Sequence, residues 1–457
     1  MRCRKAGGPA SSSHGLLALA LLSSATLGGS AFAAPKLQGI GETSIGYTDN
    51  IQSAPEVPLP GGTPKSSGVF LVLSPGVVLA SATQSAIHRL SYQYTYDLFL
   101  QRTNASTSSN RLDYRGFFDL SPRLGLVLGA AAAQSNQYSA IIITPPGAGA
   151  VNALPPGSGA FLSATGDEAL SYDLAPGWRG YEGASVSEQT PLFDTVAPRT
   201  FAPAGRIGVE RSFRVDALGV EGRTEYSVVE GSLRPDGTAL GTQRQLIFTG
   251  LGRWRRDFGR AFTSRLEAGA LRVERLNTGR GFWEPTGTAA LAYVTEVGDA
   301  ELAYAHTVTT NLLLGQTLLV DEVRLRGAVP LTKKGEVLIA ASSGYQRGRL
   351  LDENAALAAH VNSILADVGI GWQVTASLLL GLRYQHFEQM SDTTKPPLPL
   401  SFVRNSVMVG ATFKFPPESE MPRAYRAPRR VDRSDEIRDA VEPAGAGGHE
   451  RSGGQGT

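Results

Sequence analysis

From Leu37 to Phe415 apolar and polar side chains alternate with a period of two, in runs well beyond the usual strand of about five or six residues. The clearest run is Leu90–Leu100. Leu90, Tyr92, Tyr94, Tyr96, Leu98 and Leu100 share one parity, and Arg89, Ser91, Gln93, Thr95 and Asp97 the other. Side chains alternate faces along a strand, so such a run presents one apolar and one polar face. The same reading sets Leu112, Tyr114, Phe118 and Leu120 against Arg111, Asp113, Arg115 and Asp119. It sets Leu218, Val220, Tyr226 and Val228 against Glu221, Arg223 and Glu225, and Val323, Leu325 and Val329 against Glu322, Arg324 and Arg326. Leu378, Leu380, Leu382 and Tyr384 oppose Arg383 and Gln385. Val407, Val409, Ala411, Phe413 and Phe415 oppose Ser406, Met408, Thr412 and Lys414.

A water-soluble sandwich also alternates. Three features point instead to a membrane. The runs are long, the polar faces carry charge at mid-strand, and the connectors alternate in length. Short ones lie near Thr83–Ser85, Ser121–Arg123, Arg214–Asp216, Asp257–Arg260, Val297–Asp299, Leu331–Gly335 and Val374–Ala376. Longer ones separate the other ends, the longest being Ser139–Thr200. Short inner turns and longer outer loops are the pattern of an outer-membrane barrel. In lipid every backbone polar group needs an internal partner, so a spanning sheet must close on itself. The expected fold class is all-β: one antiparallel transmembrane β-barrel over residues 34–415, of about sixteen strands, or eighteen if Ser139–Thr200 hides a hairpin. Two strands read weakly. Ala289–Val294 has no clear parity, and Leu266–Val273 changes parity near Ala270, as a bulge would cause. Trp254 and Trp372 fall at inner strand ends on the apolar parity, as an aromatic girdle requires.

The amino terminus reads as an export signal, residues 1–33. Arg2, Arg4 and Lys5 precede the apolar run Gly15–Leu27, which is too short to span a bilayer. Ala31-Phe32-Ala33 is a cleavage box that places the mature start at Ala34. The chain's one cysteine, Cys3, lies within that segment, so the expected mature chain has no disulfide, cysteine–metal site or thiol nucleophile.

Composition narrows the function classes. Lys and Arg number 43 against 41 Asp and Glu, a net charge of +2, which argues against a nucleic-acid partner. A mean hydropathy of −0.10 excludes a bundle of transmembrane helices. The mature histidines His88, His306, His360, His386 and His449 are scattered, with no H-x-x-x-H or G-x-S-x-G spacing. His306 and His386 share parity with Leu302, Tyr304, Leu382 and Tyr384 and are expected to face lipid or its outer rim. No catalysis, cofactor or metal is expected.

The informative surface is the inward parity. Arg89, Asp97, Arg111, Asp113, Arg115, Asp119, Glu221, Arg223, Glu225, Arg253, Arg255, Arg265, Glu267, Glu322, Arg324, Arg326, Asp367 and Arg383 are the expected lumen lining. Arg or Lys at the lipid midplane costs about 2–4 kcal/mol, whereas a wet lumen solvates it. Both signs are present, which fits cross-strand ion pairs or a hydrophilic path rather than a single-sign ion filter. Ser139–Thr200 combines aromatic and acidic residues, so Asp167, Glu168, Tyr172, Trp178 and Tyr181 are candidate sugar contacts on a loop able to fold inward. Beyond Pro416-Pro417 the composition shifts to clustered arginines, Arg423, Arg426, Arg429, Arg430 and Arg433, then Gly and Ser. Residues 416–457 read as a flexible periplasmic tail or a docking strip.

The run ending Phe413-Lys414-Phe415 resembles the closing strand of bacterial outer-membrane barrels, whose terminal aromatic residue is read by the barrel assembly machinery. It departs from them in that 42 residues follow Phe415. GIGETSIGYTDNI (Gly39–Ile51) and LSPGVVL (Leu73–Leu79) are similar to the first strands of barrels that accompany exopolysaccharide export. That resemblance implies an outer-membrane passage for a polysaccharide cargo, fed by a periplasmic export protein that docks on the turns or the tail. The alternatives are a general or solute-specific diffusion porin, and a plugged structural or adhesive barrel.

Overall fold

In the computed structural model the described residues are 35–51, 53–56, 64–102, 105–135, 160–192, 198–231, 241–259, 261–295, 297–311, 316–332, 335–350, 360–392, 401–417 and 421. The expected signal and its cleavage site at Ala31, Ala33 and Ala34 lie outside them, as does nearly all of the tail. The strands are β1 (Lys36–Thr48), β2 (Gly68–Ala82), β3 (Ala86–Phe99), β4 (Thr107–Ser121), β5 (Leu124–Ser135), β6 (Phe161–Ala175), β7 (Trp178–Pro191), β8 (Arg199–Ser212) and β9 (Asp216–Glu230). They continue as β10 (Gln243–Phe258), β11 (Phe262–Arg275), β12 (Arg280–Thr295), β13 (Gly298–Asn311), β14 (Gln316–Pro330), β15 (Val337–Leu350), β16 (His360–Thr375), β17 (Leu378–Ser391) and β18 (Phe402–Phe415). Each pairs antiparallel with its sequence neighbour, and β1 also pairs with β18, with Ile45 opposite Val409. One 18-stranded sheet therefore closes on itself.

The count is eighteen because the segment expected as one connector, 139–200, contains the β6–β7 hairpin. Pro176-Gly177 makes its two-residue turn, with Gly177 at a φ of +77° that an L side chain rarely adopts.

The period-two pattern becomes two faces. Ile45, Val220, Leu325, Trp372, Leu382 and Val409 are exposed, and all lie on the outward parity. A large apolar face turned to the outside of a closed sheet is satisfied by hydrocarbon, not by water. Toward the long-loop end this face acquires a polar edge built the same way four times. Tyr92, Tyr304, Tyr345 and Tyr384 each donate their hydroxyl to Asn110, Asp321, Asn362 and Asn405 on the next strand. At that edge His306 lies 2.7 Å from Asp321 and His386 2.8 Å from Asn405. Tyrosines with an apolar ring and a hydrogen-bonded tip belong at a membrane interface. At the short-turn end Trp254 donates to Asp216, and Phe413 and Phe415 face outward on the closing strand.

The two faces differ in what they tolerate. Leu325→Arg, on the outward face at mid-strand, is expected to cost about 2–4 kcal/mol. Ser342→Arg, on the adjoining strand but facing inward opposite Asp367, is expected to cost little. Urea unfolding of the barrel in lipid vesicles distinguishes them, and equal losses would contradict the assignment of faces.

The expected bulge near Ala270 is absent. β11 pairs in unbroken register with β10 from Phe262↔Phe258 to Arg275↔Gln245, and with β12 from Tyr293 to Arg280. The apolar residues change parity because Leu271 and Val273 point inward. There they form a cluster with Ile247 and Val308, all almost fully buried, against which Phe282 and Leu319 pack.

That cluster exposes an irregularity in the wall. The β12–β13 ladder covers only Gly287–Thr295 with Gly298–His306, although β12 stays paired with β11 as far as Arg280. Pro285 lies just beyond the last pair and has no N–H to donate, and Thr286 Oγ1 donates to the His306 carbonyl instead. Beyond His306, β13 remains paired with β14, and β14 with β15, as a three-stranded arm. Val308, Thr317, Leu319 and Arg349 occupy the parity that faces lipid lower down. In the arm they meet the inner face of β10–β12: Val308 and Leu319 join the cluster, Thr317 donates to Gln245 (2.6 Å), and Arg349 lies 3.6 Å from Glu284. On the arm's other face Leu318 and Val320 are also buried. The long-loop half of the wall is thus a scroll whose inner lip, β13, is tucked inside β12.

Just past β18 the chain turns back to the barrel's inside. Gln38 donates to the Pro416 carbonyl, and Met421 packs on Val78 and Ala80 of the inner face.

Candidate functional site: the charged inner wall

All eighteen residues expected to line the lumen lie on the strand face opposite the exposed apolar side chains. The structure joins several of them. Arg223, Glu221, Arg253 and Glu267 form a closed ring of alternating charge across β9, β10 and β11. Arg223 bonds Glu221, which lies 3.1 Å from Arg253. Arg253 lies 2.9 Å from Glu267, and Glu267 returns to Arg223 at 3.2 Å. The side chain of Glu221 is fully buried at the centre, while that of Arg223 remains 41% exposed. Period-two spacing accounts for the ring: Glu221 and Arg223 are two apart on β9, and Gly219 faces Arg253.

Tyr181 extends the ring to β7. Its hydroxyl accepts from Arg253 Nη1 at 2.6 Å, and the guanidinium sits 5.4 Å from its ring centroid. The tyrosine reaches β10 by lying across β8 at Gly208, where a Cβ would meet its ring at 2.3 Å. A second pair crosses a strand in the same way. Arg115 on β4 bonds Asp167 on β6 at 2.6 Å over Gly129, whose Cβ would lie 2.0 Å from Arg115 Nη1. In both places glycine opens the room a long polar side chain needs to span three or more strands.

Elsewhere the pairs are local. Arg111 bonds Asp113 (2.7 Å), Arg324 bonds Glu322 (3.0 Å), Arg326 bonds Glu301 (2.6 Å) and Arg383 bonds Asp367 (2.5 Å). Asp97 accepts from Thr107. Arg89, Asp119, Glu225, Arg255 and Arg265 stand on the same face. Glu301 escaped the sequence reading, although its parity against Leu302 and Tyr304 marks it. Arg206, facing inward beside Arg223 in the cross-strand register, escaped it too, although its parity against Ile207 marks it.

The five candidate sugar contacts do not converge. Asp167 and Tyr181 face the lumen in the pairs just described. Glu168, Tyr172 and Trp178 point outward, and Trp178 lies under the Arg211 guanidinium at 5.2 Å. They sit on strands because 161–191 is a hairpin, and alternation sends neighbouring residues to opposite faces.

The wall is therefore polar, close to balanced in sign, and stiffened by ion pairs that keep part of their surface wet. Such pairs contribute little each to stability, but cross-linked networks hold side chains in place. The arrangement suits passage of water and polar solutes.

No protein-family model and no curated protein matches the chain. Among solved structures it is similar to OccK2 (OpdF) of Pseudomonas aeruginosa in complex with glucuronate, at 13% identity and a TM-score of 0.44, over 84% of this chain and 100% of that one. It is similar to opdK of the same organism at 10% identity and a TM-score of 0.42, over 83% and 99%. The FrpB iron transporter of Neisseria meningitidis gives 8% identity and a TM-score of 0.42, over 83% and 82%. On its own register and outward face, the chain is an eighteen-stranded antiparallel β-barrel of the bacterial outer-membrane type.

Proposed function

We propose that the barrel is a passive channel for small polar and charged solutes. The observation that supports this best is the inner wall at mid-strand, where the Arg223 and Arg383 side chains, each held by a largely buried carboxylate, face a space that leaves them 41% and 50% exposed. Charged groups in the middle of a membrane protein are retained where water reaches them. Mixed signs held in pairs give a path that is hydrophilic without a strong ion preference.

Nothing in the geometry or the comparisons supports the expected exopolysaccharide passage. Gly39–Ile51 and Leu73–Leu79, which carried that resemblance, fall on the ordinary wall strands β1 and β2, the first running three residues past the end of its strand. The tucked arm also narrows the long-loop half of the lumen, which favours solutes over a polymer.

The test is reconstitution of the purified full-length protein. In planar bilayers it should give discrete conductance steps with weak selectivity between potassium and chloride. In liposome swelling, monosaccharides should enter and long oligosaccharides should not. A correctly folded, electrically silent barrel would refute the channel reading.

A further inference from the structure

We propose that the three-stranded arm, residues 307–311, 316–321 and 347–350, is the channel's gate, and that the inner face of β10–β12 is its closed seat. The inference rests on the channel reading above and adds a mechanism to it. Two arrangements of the same strands compete. In the one observed, β13 leaves β12 at His306, and the flank of β12 over residues 280–286 has no strand partner on that side among the described residues. In return Val308 joins Ile247, Leu271 and Val273 in one buried cluster, and Leu319 packs against it. In the other, β13 rejoins β12, the ladder extends toward Arg280, and the arm becomes part of the outer wall.

The arm's apolar pair is compatible with both, and Arg349, next to the end of β15, would swing to the long-loop rim of the wall, where a long side chain reaches water. Val308 and Leu319 lie on the outward parity, so an outward swing exchanges an apolar seat for lipid and leaves them equally satisfied. The ladder is weakest where the swing would hinge, because Pro285 cannot donate a hydrogen bond there. The seat biases the balance. With the arm gone, Ile247, Leu271 and Val273 would stand in a wet lumen, so the tucked state is the resting one. Two polar contacts latch it, Thr317 to Gln245 and Arg349 to Glu284. A hairpin with two discrete packings is the kind of element that switches rather than deforms.

The experiment uses the full-length protein, whose expected mature chain has no cysteine of its own. Gln245→Cys and Thr317→Cys are combined and linked by oxidation or a short thiol cross-linker, with linkage confirmed by mass. Wild-type channels should move between a lower and a higher conductance level. Linked channels should stay at the lower level, and reduction should restore the higher one in the same membranes, which also shows that the variant is folded. Linked channels that still visit the higher level would overturn the gate while leaving the channel reading intact. A second variant is independent of disulfide geometry. Glu284→Arg should raise occupancy of the higher level roughly threefold, and adding Arg349→Glu should return it toward wild type. Identical occupancy in all three forms would also overturn the gate. Silence in every form, with the heat-dependent gel shift intact, would remove the channel reading and the gate with it.

Discussion

Valine at position 269 is expected to leave little or no folded barrel. A Cβ on Gly269 would lie 1.8 Å from the Gly250 carbonyl oxygen and 2.8 Å from its carbon. The obstacle is backbone on the neighbouring strand, so no side-chain rotation relieves it. β10 and β11 would have to separate at mid-ladder, where Leu251 faces Gly269. A closed sheet in lipid has no water to satisfy the groups released. Gly222→Ala is the control, because nothing lies within 4 Å of the Cβ it would gain. The fraction of protein that migrates as the compact form before boiling should fall steeply for Gly269→Val and stay at wild-type level for Gly222→Ala. Normal assembly of the valine variant would show that the close approach of β10 and β11 at this point is wrong.

Glu221→Ala should have the second-largest effect, on both stability and ion preference. Its carboxylate is the buried hub of the four-residue ring, bonded to Arg223 and Arg253. Removing one partner of a buried pair costs about 3–5 kcal/mol, because the other charge remains without compensation. Here Arg223 is 41% exposed and lumen water takes up part of its charge, so the loss should fall toward the lower end of that range. The same change leaves an extra positive charge at the middle of the wall. Reversal potentials under a potassium chloride gradient should therefore move toward chloride preference, and the unfolding temperature should drop. Glu221→Gln should shift the selectivity in the same direction with a smaller loss of stability, since the amide oxygen still accepts a hydrogen bond. Unchanged selectivity in both variants would place the ring outside the ion path.

The faces of the barrel were readable from residue order because they follow from strand geometry alone. Once Leu90, Tyr92 and Tyr94 share one side, Arg89 and Gln93 must share the other, whatever the neighbours do. The strand count needed one further signal. Pro176-Gly177, between Tyr172 and Trp178, is a turn pair inside a segment otherwise rich in Gly, Pro and Ala, and that composition masked it. The same composition makes residues 161–191 look like loop in the sequence, and only the hairpin separates their side chains onto two faces. Alternation along one strand says nothing about partners on others. It could not show that Tyr181 crosses β8 to Arg253, or that Gly129 and Gly208 are the gaps that let long side chains pass.

The parity change near Ala270 was visible in the chain but pointed to the wrong cause. A local rule explains it by an extra residue in one strand. The structure explains it by an inward apolar seat for an arm that begins more than thirty residues later in the sequence. Residue order by itself determined a closed, lipid-facing sheet with a charged interior, since period-two alternation and the hydrogen-bonding demand of hydrocarbon leave few other solutions. Which charges meet, where the wall opens and what tucks inside it were decided only in three dimensions, because each depends on side chains brought together across strands that the chain itself keeps far apart.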